Sequence, residues 1–230
     1  TSKAIGILIP SLSNQVFSAV IHGIEAVTRP AGYQTLLAHY GYSPEREEEQ
    51  VASLLSYNVD GLILSDTQHT ERTRKMIATA GIPLVETMDL PLSPIDMVVG
   101  MDHRAAARAM VTEMLRRGRR KVIYLGARLD VRTQLRMEGY YQAMADFGLT
   151  GQHLLTEQSS SFTLGGELLA QAMARFPDLD GLFCTNDDLA VGALLQCQAR
   201  WIPVPQQVAI AGSNALDIGH AMTTKLASIV

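Results

Sequence analysis

The sequence predicts an α/β architecture with parallel sheets, built twice over, and three observations lead there. Short apolar, β-branched runs alternate with amphipathic helical stretches along the whole chain. The alternation restarts near the middle. No Pro/Gly/Ser-rich linker or low-complexity segment separates the halves, so two intimate subdomains with a cleft between them are expected. With 230 residues, 47% hydrophobic and 18% charged, the chain is long enough to bury an apolar core in both.

In the first half the run "AIGILI" precedes a helix over 14–28, "YQTLLAH" a helix over 45–58, and "DGLIL" a helix over 70–80. "PLVET" and "DMVVG" follow, then a helix over 102–117. The second helix is marked by Ser43 as cap, Pro44 at its first position and Glu45, Glu47 and Glu48 in its first turns. That acidity reads as complement to the helix dipole and as a solvated face. In the second half "KVIYLG" leads into a helix over 133–147, a short strand lies near Leu154, and a helix spans 164–175. "GLFCT" precedes a helix over 187–199, "VAIAG" follows, and a last strand starts near Leu226. Thr133 is a candidate cap for the first of these helices, and Gly148 its stop.

The loops after the strands carry the polar chemistry: "PSLSNQVF", "SDTQ", "GARLDVRTQLR", "TNDD" and "GSNALD". In open α/β sheets ligands sit at the carboxyl ends of the strands. Hydroxyls, amides and carboxylates, with an aromatic such as Phe17 or Phe162, suit a small polyhydroxylated molecule. Taken singly, Ser13, Asn14, Asn186 and Asn214 are equally readable as caps and turn formers. One feature breaks a local rule. Arg132 and Arg136 stand at the start of the helix after "GARLD", where a cation opposes the dipole by about 0.3–1 kcal/mol unless something negative is near.

Motifs for chemistry are missing. The sequence has no phosphate-binding GxxxxGK[ST] loop, no GxGxxG, no GxSxG elbow and no histidine pair at metal-ligand spacing, so no cofactor, no metal and a binding protein rather than an enzyme are expected. Asp187 and Asp188 read as capping and dipole complement, and His39, His69 and His103 as surface or packing residues. Cys184 and Cys197 read as buried thiols. A net charge of −4 argues against a nucleic-acid grip by this chain, and "RRGRRK" at 116–121 reads as a solvated turn between helix and strand. No stretch approaches the ~18 uninterrupted apolar residues of a membrane span, and no signal segment opens the chain, so a cytoplasmic protein without membrane contact is expected.

"IGILIPSLSNQVFSAVIHGIEAV", "GYQTLLAHYGYSPEREEEQVASLLSYNVDGLIL", "RRGRRKVIYLG", "RMEGYYQAM", "TNDDLAVGALL" and "VPQQVAIAGSNA" resemble, in order and spacing, the effector-binding core of the LacI/GalR family of bacterial transcription factors, in its gluconate-utilisation branch. The resemblance implies a fold like that of periplasmic binding proteins, with an N-terminal subdomain at 1–117, a C-terminal one at 118–225 and the start of a crossover strand back to the first at 226–230. It implies a homodimer that represses transcription and reaches operator DNA through a helix-turn-helix headpiece normally ahead of this core. Without that headpiece, this chain alone is expected not to bind DNA.

Position by position, the resemblance places the effector arginine on Arg136 and the asparagine of the later helix on Asn186. It places further contacts on Ser11, Asn14, Phe17, Asp66 and Arg132, and the stacking aromatic of the second half near Ser160 or Ser161, beside Phe162. The family often carries Gly-Phe/Tyr-Asp-Asp where this chain has Gly212 to Ala215, "GSNA". Asn214 in place of aspartate removes a charge that would repel a carboxylate, and with two arginines at a helix start it points to gluconate or a related sugar acid. The rival reading is a periplasmic-type solute-binding protein for sugars or sugar acids. A salt bridge from Arg136 to Glu138 or Asp187 is the structural alternative for that residue.

Overall fold

In the first half Ala4–Ile9 forms a strand (β1) whose alternate side chains enter different apolar layers, as the twofold repeat of a strand buried on both faces requires. Helix α1 (Gln15–Thr28) follows, then β2 (Gln34–His39), α2 (Pro44–Ser56), β3 (Gly61–Leu64), α3 (Glu71–Ala80), β4 (Leu84–Met88) and β5 (Met97–Gly100). The computed structural model describes residues 2–230. These five strands make one fully parallel sheet in the order β2-β1-β3-β4-β5. Leu8 packs with Leu62, Leu64 and Leu84 against Val51 and Leu54 of α2 and Ile77 of α3. Ile7 and Ile9 point the other way, onto Phe17 of α1.

The second half runs α4 (His103–Arg116), β6 (Val122–Ala127), α5 (Val131–Asp146), β7 (Gln152–Thr156), α6 (Phe162–Arg175), β8 (Gly181–Cys184), α7 (Asp187–Ala199), β9 (Ala209–Ser213), α8 (Asp217–Ala221) and β10 (Ala227–Ile229). Its sheet is also fully parallel, in the order β10-β9-β8-β6-β7. Counted within its own half, this is the same strand order as the first sheet, so both are doubly wound sheets with their reversal at the first strand. Ile123 and Leu125 of β6 pack under α6 and α7, while Val122 and Tyr124 pack under α4 and α5.

The chain divides into two units after Asp102. The boundary therefore falls before α4, not at 117/118, and the reason is packing. Ala107, Val111, Met114 and Leu115 of α4 share one apolar cluster with Val122, Tyr124 and Tyr140. The helices α4 and α5 meet so closely that a Cβ on Gly139 would come within 2.2 Å of the Arg104 carbonyl oxygen. The terminal strand β10 pairs in parallel with β9 at the edge of the second sheet, Ser228 opposite Gly212. The short helix α8, too brief to show periodicity, escaped the sequence reading.

Candidate functional site

In the second unit the start of α5 is tied to the sheet. Asp130 caps it, its Oδ1 accepting from the Thr133 N–H at 2.9 Å. Thr133 is thus not the cap. Its hydroxyl donates to the Ala127 carbonyl at 3.0 Å and accepts from the Thr185 hydroxyl at 3.2 Å, while the Tyr124 hydroxyl donates to the Thr133 carbonyl at 2.8 Å. Burial pushes the Tyr124 phenol well up, so it remains a donor. As the cap, Asp130 puts a carboxylate at the start of the helix that carries Arg132 and Arg136, where it complements the dipole.

Arg132 and Arg136 lie one turn apart on the same face of α5, 9% and 6% exposed. Arg136 Nη1 donates to the Thr185 carbonyl at 2.5 Å, and Nη2 lies 3.3 Å from His103 Nδ1. Neither proposed salt bridge forms: Glu138 pairs with Arg104, whose Nε is 2.7 Å from its Oε2, and Asp187 is engaged elsewhere. Thr185 follows β8 directly, so the arginine is clamped onto the carboxyl edge of the second sheet.

Asn186 and Asn214 stand on the same edge. Asn186 caps α7, with Oδ1 accepting from the Leu189 N–H at 3.1 Å and Nδ2 donating to Ser160 Oγ at 2.7 Å. Asn214 follows β9 with φ +100° and donates its N–H to the Ile229 carbonyl at 2.9 Å. Phe162 opens α6, behind the cap Ser161, two residues earlier than the periodicity indicated, and is 39% exposed. It has an aromatic face to offer. Asp187 is fully buried, and burial raises its carboxyl pKa against the opposing pull of its bonds from Ser228 and Leu216.

In the first unit Ser11, Asn14 and Asp66 gather at the carboxyl edge of the first sheet. Ser11 Oγ accepts from the N–H groups of Ser13 and Asn14, both at 3.2 Å. Asn14 caps α1 by accepting from Val16, and its Nδ2 lies 3.4 Å from the Tyr42 hydroxyl. Asp66 accepts from the Tyr40 hydroxyl at 2.6 Å. Phe17 belongs elsewhere: it is 1% exposed within the cluster of Ile7 and Ile9, a core residue without a face for stacking.

Glu47 corrects another expectation. It is not a solvated residue of α2 but fully buried, with Oε1 2.5 Å from His69 Nδ1, while His69 Nε2 is 2.9 Å from Glu86 Oε2. Glu86 Oε1 accepts from the Ile95 N–H at 2.8 Å. Burial raises the Glu47 pKa; for His69 burial opposes the charge, but the two carboxylates hold its pKa above the ordinary imidazole value. His69 is a structural tie joining α2, β4 and the loop after β3. The basic run 116–121 is the largely exposed turn between α4 and β6 that the sequence indicates, and the N–H groups of Arg120 and Lys121 bind the Asp180 carboxylate.

Sequence reasoning missed Tyr40 and Tyr42, although the loop after β2 obeys the same strand-end rule as the loops it named. It also missed the roles of His103, Thr185 and Ser228, whose partners lie 33, 49 and 41 residues away in the chain. Among the described residues no cluster of histidine, cysteine, aspartate and glutamate could hold a metal, and no helix is long and apolar enough to cross a membrane.

A family model described as periplasmic binding proteins and sugar binding domain of the LacI family matches residues 2–225. The chain is 55% identical over 230 residues to the HTH-type transcriptional regulator GntR of Escherichia coli K12, covering 100% of this chain and 70% of that protein. It is 48% identical to the HTH-type transcriptional regulator IdnR of the same strain, covering 100% and 69%. Among solved structures, transcription regulator GntR from Chromobacterium violaceum matches with a TM-score of 0.94 and 36% identity, covering 98% of this chain and 83% of that one.

Proposed function

Because the chain belongs to the LacI family of transcriptional regulators, we propose that it is the core through which such a regulator senses a small sugar acid, gluconate or a near relative. The observation that carries this reading is the buried pair Arg132 and Arg136 on one face of α5, at the carboxyl edge of the second sheet. Two guanidiniums one turn apart suit an anion, because each can make charge-assisted, bidentate bonds to a carboxylate that a neutral sugar hydroxyl cannot match. Asn214, on the same edge, donates and accepts without adding negative charge. Asn186 supplies groups for the hydroxyls and Phe162 an apolar face, while Ser11, Asn14 and Asp66 offer a hydroxyl, an amide and a carboxylate at the carboxyl edge of the first unit's own sheet.

The relatives at 55% and 48% identity are transcriptional regulators, which supports a sensor over a transport receptor. In this reading the effector shifts the balance between two arrangements of a cytoplasmic homodimer, and a DNA-binding headpiece reads the difference at the operator. Calorimetric titration with gluconate and glucose tests it. Gluconate should bind at least tenfold more tightly; equal or tighter binding of glucose would overturn the assignment of an anionic effector.

A further inference from the structure

The segment Asn214–Leu216 holds two successive non-glycine residues at positive φ, Asn214 at +100° and Ala215 at +47°. Such backbone persists only where its surroundings over-determine it. Three N–H groups in a row are fixed from outside. Asn214 donates to the Ile229 carbonyl at 2.9 Å, Ala215 to Ser228 Oγ at 2.9 Å and Leu216 to Asp187 Oδ2 at 2.8 Å. Ser228 in turn donates its hydroxyl proton to Asp187 Oδ1 at 2.7 Å. The buried carboxylate therefore takes one bond from the segment directly and orients the hydroxyl that takes a second. Space is reserved for it: a Cβ on Gly212, opposite Ser228 in the sheet, would come within 2.5 Å of Asp187 Oδ1.

We infer that Asp187 is a positioning residue for the effector site, acting through Ser228 on the backbone of Asn214–Leu216 and so aiming the Asn214 side chain. This rests on the reading of Asn214 as an effector contact. It assigns Asp187 a part that helix capping and dipole complement do not, since Asn186 already caps α7.

The test uses the whole chain, gluconate as probe, and Ser228→Ala beside Asp187→Asn, since the buried aspartate is the riskier substitution. Ser228→Ala should speed exchange of the Ala215 and Leu216 amides about tenfold and weaken gluconate about tenfold, with a modest fall in the unfolding midpoint from the donor that Asp187 loses. Ser228→Thr, which keeps the hydroxyl, should restore both. In an Asn214→Ala background the same Ser228→Ala change should weaken gluconate less than about twofold, because the residue through which it acts is gone. A full tenfold loss in that background, or unchanged amide exchange, would overturn the proposal. If the parent chain takes up no gluconate, the effector reading falls separately, and the exchange arm, which needs no ligand, still decides whether Asp187 and Ser228 hold the segment.

Discussion

The two units share a strand order and differ in what they bury at the carboxyl edge. The first encloses an acid-rich cluster in which His69 bridges Glu47 and Glu86, so buried acid is partly offset inside the unit by an imidazole. The second encloses Arg132 and Arg136, like charges one turn apart, with Arg136 oriented by a carbonyl and an imidazole. One scaffold thus puts buried charge to two uses. The histidine-bridged cluster fastens three segments together, whereas the like-charged pair at a strand end is, in the function proposed above, the receptor for an anion.

The largest effects that sharpen this contrast fall on stability in the first unit. His69→Ala leaves two buried carboxylates facing each other and should cost about 3–5 kcal/mol. Phe17→Ala should cost a similar amount, about 3–5 kcal/mol, as a core cavity. Denaturant unfolding checks both, and a loss below about 1 kcal/mol for His69→Ala would deny the cluster its structural role. The pH dependence has a definite sign. Because the folded pKa of His69 is raised above the unfolded value of 6.5, folding takes up a proton. The stabilisation is complete below about pH 6.5 and is lost as pH rises through the raised value. Amide exchange in β3 and β4 should therefore quicken relative to base-catalysed expectation on the alkaline side, and His69→Gln should abolish that step.

Arg136→Ala in the second unit should behave the other way round. Gluconate affinity should fall by about 2–4 kcal/mol, roughly 30- to 900-fold, with a smaller loss of stability. An unchanged dissociation constant would make the arginine structural and erase the distinction between the units.

How far the sequence revealed this contrast depends on the range of the interactions. The alternation of elements, the caps Asn14, Ser43 and Asn186, and the strand-end positions of Ser11, Asp66 and Asn214 are local signals, and the structure places them where spacing and turn chemistry do. The Glu47–His69–Glu86 cluster was illegible because Glu47 sits among charged neighbours in an N-terminal turn, where acidity has a sufficient local explanation. Only the fold shows that one of those glutamates points inward. Phe17 failed for the opposite reason. A lone aromatic near a strand end serves a stacking surface and a core equally well, and the facing Ile7 and Ile9 decide between them. The unit boundary was hidden because α4 is adjacent to β5 in sequence but packs against α5, through a glycine whose purpose only the close approach discloses.

Asn214→Asp tests charge at nearly constant shape. A carboxylate at this position would repel a bound carboxylate in a partly screened site, disfavouring gluconate by roughly 1–3 kcal/mol, about 5- to 150-fold. Binding of glucose should hold or improve. The loss should shrink on acidification toward the new aspartate's pKa, where protonation removes the charge. Equal losses for the anion and the neutral sugar, measured at two pH values, would mean that geometry and not charge is at stake.

The smallest expected effect separates the two phenylalanines. Phe162 is the first residue of α6 and over a third exposed, so its removal leaves no closed cavity, and stability should change by less than about 1 kcal/mol. If its ring covers the apolar face of a bound sugar acid, Phe162→Ala should weaken gluconate by about 0.5–1.5 kcal/mol, roughly two- to tenfold. The same face covers a neutral sugar, so glucose should lose a similar factor, unlike the charge-dependent response at Arg136 and Asn214. Its backbone is a separate matter: a Cβ on Gly192 of α7 would come within 1.9 Å of the Phe162 carbonyl oxygen, so the main chain at this position is held by the α6–α7 contact whatever the side chain. Phe162→Leu should thus keep the helix start and part of the apolar cover, and fall between the parent and the alanine variant. A stability loss as large as that of Phe17→Ala, with gluconate binding unchanged, would place Phe162 in the core as well and leave the site without an aromatic contact from the second unit.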